Sequence, residues 1–359
     1  MEQALSERGA AHECITSASQ FRPELKGNDN VMLLSRKTLQ RILGVIWLID
    51  GIIQLFPQMW TMNMVNGIMK PMLNGQPGIF EPSLQFIVNQ TTLHLFEVNL
   101  LISVVQICLG LGFLFLSDRW MKWLVLISFV WALIVWYGGE GMNMLFTGTA
   151  SILTGAPGAV LLYPLLGLAV IPRTQPSTAT ASTTRKAGDD GLLSRRVLRY
   201  ILAGFWCFAA LLQLQPNWWQ QGQVSQAIGA MVGMGGLNSV LVDPILTPIS
   251  NATANIQTPL NIALIIVFLA IGIGLFIVKD EQVRPFLIAS IIVSFLFWYF
   301  SQAFGAIFTG MATDFNSGLL VILIALSCWP RAQASTSAQR AQPAQDVKAS
   351  EESGTVQQA

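Results

Sequence analysis

Trp136-Tyr137-Gly138-Gly139-Glu140-Gly141-Met142-Asn143-Met144-Leu145-Phe146-Thr147-Gly148 returns 162 positions later as Trp298-Tyr299-Phe300-Ser301-Gln302-Ala303-Phe304-Gly305-Ala306-Ile307-Phe308-Thr309-Gly310. Each copy closes an apolar run of membrane-spanning length. The first copy places a carboxylate, Glu140, where the second places the amide of Gln302.

Working outward, the correspondence continues. Trp47, Gln54, Pro57 and Trp60 return as Trp206, Gln213, Pro216 and Trp219, each 159 positions later. Asn99, Gly110 and Gly112 return as Asn261, Gly272 and Gly274 at a spacing of 162, so the outer loop of the second copy carries three extra residues. The chain is a duplicated four-helix unit.

Of the 359 residues, 53% are hydrophobic and 11% charged, against about a quarter charged in a soluble domain. That places most of the chain where charge is costly and predicts an all-α integral membrane protein with eight spans. The spans fall near 39–56, 93–116, 120–137 and 158–171, and again near 197–214, 259–278, 285–301 and 318–329. The domain plan is a polar tail at 1–35, a first four-helix repeat at 36–172, a Ser/Thr-rich linker at 173–192, a second repeat at 193–330 and a disordered tail at 331–359. No apolar signal region follows the start, so residues 1–35 read as a cytoplasmic tail. Residues 60–73, with four methionines, read as an interfacial helix on the bilayer or on the bundle.

Nineteen of the 20 Lys and Arg fall on one side of these spans, and only Lys70 lies on the other. By the positive-inside rule both termini are cytoplasmic, the localisation is the cell inner (plasma) membrane, and the two repeats run parallel.

Ionisable residues at membrane depth are costly and mark function. Asp50 and Gln54 share a helix face in the first span, His94 and Glu97 open the second, and Glu140 follows the third. Their counterparts are Ala209, Gln213, Ile256, Pro259 and Gln302, which suggests a working half and a scaffold half. Asp50 and Glu140 are the candidates for proton exchange in an outward-facing polar cavity. Gln54, His94, Glu97, Trp136, Tyr137, Thr147 and Gln302 are the candidate ligand-binding residues. Interfacial water at helix ends is the alternative setting for Glu97 and Glu140. An aromatic belt is the alternative to a quinone ring stacked on Trp136 or Tyr137. One histidine in this group without close ligand spacing gives no metal site. The four scattered cysteines form no redox pair. No nucleic-acid surface, phosphate loop or dinucleotide fingerprint is present.

The openings of the two repeats, Arg41-Ile42-Leu43-Gly44-Val45-Ile46-Trp47-Leu48-Ile49-Asp50-Gly51 and Arg199-Tyr200-Ile201-Leu202-Ala203-Gly204-Phe205-Trp206, resemble that of the DoxX-like family. That family comprises small bacterial four-helix membrane proteins and includes the DoxD subunit of thiosulfate:quinone oxidoreductase. The resemblance implies a membrane subunit that supports a quinone-linked or other electron-transfer reaction, with quinone as the cofactor class. The partners would be the lipid bilayer, a redox subunit or a second copy of the chain. A solute or ion transporter using the cavity between repeats, and a non-catalytic scaffold, stay open, as does whether the chain itself is an enzyme.

Overall fold

The computed structural model describes residues 34–173 and 191–330. The two expected tails, most of the expected linker and Cys14 lie outside the described residues. The described residues form one compact unit, all-helical apart from an isolated bridge between Pro172 and Gly191.

Among the described residues, ten helices have ten residues or more: α1 (Arg36–Ile53), α2 (Glu81–Leu93), α3 (Leu95–Phe115), α4 (Met121–Gly138), α5 (Ala159–Val170), α6 (Arg195–Gln213), α7 (Asp243–Thr253), α8 (Gln257–Ile277), α9 (Arg284–Phe300) and α10 (Asn316–Ser327). Serines start both opening helices. Ser35 Oγ accepts from the Thr38 N–H at 3.0 Å, and Ser194 Oγ from Val197 at 3.3 Å.

Two helices were not anticipated. α2 and α7 begin at Glu81-Pro82 and Asp243-Pro244, where an acid and a proline suit the first turn. α2 ends at a backbone break at His94 (φ −124°, ψ 39°), and a similar break at Ile256 (φ −115°, ψ 25°) separates α7 from the long helix that follows it. The Met-rich stretch after α1 is a chain of short turns rather than one helix. Its Met64, Met69 and Met72 are buried with Leu84 and Val88 of α2, so it lies on the bundle.

Four helical segments among the described residues are long and apolar enough to cross a bilayer: Leu95–Phe115, Asp118–Gly138, Arg195–Gln213 and Gln257–Ile277. The other expected spans differ for identifiable reasons. α1 carries Arg36, Lys37, Arg41 and Asp50 within 18 residues. α9 has 17 residues, and α5 and α10 have 12 each, about 18 Å for the latter two. Leu100, Leu126, Phe129, Ile266 and Ile273 face outward while Asn99, Ser103, Ser128, Asn261 and Ser290 are buried. This inversion suits a lipid exterior.

α1 packs chiefly on α3 and α6 on α8, while α5 and α10 touch each other and join the halves. Glycine permits the first two contacts. A Cβ on Gly110 would lie 2.6 Å from the Leu48 backbone nitrogen, and one on Gly272 would lie 2.9 Å from that of Cys207. At one end of the bundle, Arg36 binds Asp118 at 2.7 Å and the Val170 carbonyl at 3.0 Å. Arg199 binds Asp280 at 2.6 Å, and Arg195 donates to the Trp329 carbonyl at 2.9 Å.

Gly110→Val should cost about 1–3 kcal/mol or more, since backbone cannot move aside as a side chain can. Gly112→Ala, whose Cβ would meet only side-chain ends, Leu124 Cδ1 at 2.8 Å and Leu116 Cδ1 at 3.5 Å, should be milder. Thermal unfolding in detergent measures both, and equal losses would contradict this packing.

Candidate functional site

A partly open cavity of about 750 Å³ lies in the first half between α1, α2, α3, α4, α5 and the turns that follow α1 and α4. Apolar walls dominate it, including Met64, Met69, Ile87, Ile102 and Val135. Asp50 lies deep inside and is 1% exposed. Tyr163 Oη donates to Asp50 Oδ2 at 2.5 Å, and the Trp47 ring lies 4.4 Å from the Tyr163 ring.

Several other buried polar atoms on the wall find no hydrogen-bond partner among the described residues. They are Asp50 Oδ1, Gln54 Oε1, Gln106 Oε1, Glu140 Oε2 and the indole nitrogens of Trp47 and Trp131. Each such group ordinarily costs about 1–3 kcal/mol. Their convergence on one space is what a ligand site requires.

Glu140 sits just past α4, before Gly141, Met142, Asn143 and Met144, all with φ between 48° and 58°. Three consecutive non-glycine residues in the left-handed region are strained, and Ala303–Ala306 repeat the turn at the equivalent place. At Gly141 a side chain is excluded, because a Cβ would meet Met72 Cβ at 2.9 Å. The turn lets Glu140 accept from the Val160 N–H and the Asn143 side chain. Burial, and next the charge of Asp314, push the Glu140 carboxyl well above the ordinary carboxylate range.

Of the residues singled out from sequence, Asp50, Gln54, Tyr137 and Glu140 line the cavity. The other five do not. His94 and Glu97 are exposed, because α2 occupies that side and lines the cavity with Ile87 and Thr91. Trp136 is a pin whose Nε1 donates to the Pro157 carbonyl at 2.6 Å. Thr147 closes its own turn on the Met144 carbonyl at 2.8 Å. Gln302, 1% exposed, ties the halves together: its amide donates to Ile152 at 2.9 Å and Ser317 at 3.0 Å and accepts from Gly318 at 3.1 Å.

Sequence reasoning missed Trp47, Gln106, Trp131, Tyr163 and Asp314, all in the lining. Gln106 and Tyr163 carried a signal as polar groups deep within apolar helices. The second half explains why they matter. Counting 162 on, Gln106 becomes Phe268 and Val135 becomes Phe297, and both rings pack on Trp206 at 5.4 and 6.2 Å. Trp206 Nε1 donates to Ser290 at 2.8 Å, whereas Trp47 Nε1 and Ser128 Oγ, at the matching sequence positions, have no hydrogen-bond partner among the described residues. Aromatic rings thus fill the place that the first half leaves hollow.

Gln302→Ala should lower stability by about 2–4 kcal/mol, from three hydrogen bonds at roughly 1 kcal/mol each and the acceptors left behind. Ligand binding by the folded fraction should be unchanged. A variant as stable as the parent in thermal unfolding would mean that Gln302 is not a tie.

Comparison with family models, with curated proteins and with solved structures finds no match for this chain.

Proposed function

We propose that this chain is an eight-span membrane protein of two parallel four-helix units, resembling the DoxX-like group, with both termini cytoplasmic. We further propose that it holds a quinone-class molecule in the first-half cavity, as the membrane subunit of an electron-transfer enzyme. The observation that carries the ligand reading is one mainly apolar cavity holding a buried Asp50–Tyr163 pair, the Glu140 carboxyl and two unpartnered indole donors.

A quinone ring needs apolar walls, donors for its carbonyl oxygens, and groups that exchange protons as it is reduced or oxidised. Trp47 and Trp131 supply N–H donors, and Asp50, Tyr163 and Glu140 supply exchangeable protons. Leu101 and Ile134 line the cavity yet are 57% and 56% exposed. They mark a side opening between α3 and α4 through which an isoprenoid tail would reach lipid. Electrons would pass to a redox partner subunit.

Supporting the topology, the helices fall close to every expected span, and the Arg36, Lys37, Asp118 and Arg199, Asp280 ion pairs cluster at the basic ends. Reporter fusions after Arg119, Lys186 and Lys279 should report cytoplasm, and fusions near Gln76 and Asn251 the outside. One reversed compartment would break the parallel arrangement.

Purified protein should carry quinone extractable by organic solvent. Gln106→Phe with Val135→Phe copies the filled second half, so it should abolish co-purification while thermal stability holds or rises. Quinone retained by that folded double variant would sink the cavity reading. Stabilisation by a polar solute and not by quinone would favour a transporter instead.

A further inference from the structure

Asp314 belongs to the second half, yet with Thr313 it lines the first-half cavity. Its counterpart can be found from matched bonds. Trp136 donates to Pro157 and Trp298 to Phe315, both at 2.6 Å. Glu140 accepts from the Val160 N–H as Gln302 does from Gly318. The offset through the last helix is therefore 158, and Asp314 corresponds to Ala156. Ala156 is fully buried and packs with Ala150 against Leu212 and Phe208 of α6. The first half thus sends its last loop onto the first helix of the second half, and the second half sends its own last loop to the first-half cavity and the turns beside it. The first loop delivers a methyl group and the second a carboxyl.

The crossing loop is firmly seated. Asp314 accepts from the Asn316 N–H and from the Thr313 hydroxyl at 3.4 Å. Asn316 (φ 63°) lies over Gly155, where a Cβ would sit 2.6 Å from Asn316 Oδ1. Gly310 abuts Gln58, and Met311 abuts Gly67 in the outer turns of the first half.

We propose that the ligand site is built by both halves, with Asp314 as its third carboxyl and a proton held jointly by Asp314 and Glu140. This rests on the first-half cavity being the ligand site. A second observation points the same way: Asp50 and Gln54, 1% and 2% exposed, turn unpartnered oxygens into the same space. Among the described residues, the titratable groups facing it are Asp50, Tyr137, Glu140, Tyr163 and Asp314, with no lysine, arginine or histidine in the lining. Three carboxyls without a cation among the described lining cannot all ionise in a low-dielectric cavity, so the cluster retains at least one proton; on this proposal Glu140 and Asp314 share it and leave one carboxylate free. When a bound hydroxyl is deprotonated, its O–H bond breaks, its oxygen keeps the electron pair, and a new O–H bond forms on that carboxylate. The second half is then a contributor to the site rather than a scaffold.

Infrared titration of the carboxyl C=O band tests this in the full chain in lipid nanodiscs without added ligand. Loss of a band in Glu140→Gln assigns Glu140. In Asp314→Asn the Glu140 midpoint should fall by roughly one pH unit, because a like charge has been removed. Asp314→Glu should keep the parent midpoint. Asp314→Ser serves if the asparagine variant does not fold. A Glu140 midpoint unmoved in the folded neutral variant overturns the proposal. Failure of the unaltered protein to bind added decylubiquinone, followed by tryptophan quenching, would instead overturn the quinone reading and leave the infrared result to stand.

Discussion

A carboxyl group buried in the middle of a helix must be partnered or neutral, and Asp50 meets that constraint through Tyr163. Much of the first half is arranged around this contact. It links α1 to α5, places the Trp47 ring over the tyrosine, and keeps polar atoms where close packing would otherwise fill the space. In the second half Ala209 takes the place of Asp50 and is fully buried. With no charge to accommodate, the aromatic rings of Phe268 and Phe297 close on Trp206.

The two halves therefore differ in their interiors while sharing several helix contacts. The helix contacts that set the frame are kept: Gly110 and Gly272 against the opening helices, and Trp136 and Trp298 pinning the last loops. What differs is volume and polarity at a few inward positions. Exchanging a phenylalanine for glutamine or valine removes ring volume, and a packed core does not relax fully into the gap. The gap becomes a cavity lined by groups that lack partners.

The halves are also not separable units. Gln213 donates to Ser151 at 2.8 Å and Trp218 to the Ala150 carbonyl at 3.0 Å, while Gln302 reaches Ile152 at 2.9 Å. All three run from the second half to one loop of the first. Buried amide and indole donors are costly unless satisfied, so these bonds hold the loops in register and bring Asp314 to the cavity.

The sequence alone determined the helical character, the apolar segments of spanning length and the positions of most long helices, because apolar runs are local signals. It also marked Asp50, Gln54, Tyr137 and Glu140, which line the cavity. Tertiary structure decided the rest. α2 covers the side where His94 and Glu97 would have entered, and no hydropathy pattern says which way a short outer helix folds back. Gln302 lies opposite Glu140 in the alignment, yet its amide finds carbonyl and hydroxyl partners and becomes a tie. Asp314 looks like an ordinary loop acid in the chain. Its role depends on a loop crossing between halves, and such a contact, distant in sequence, is fixed only when both halves pack together.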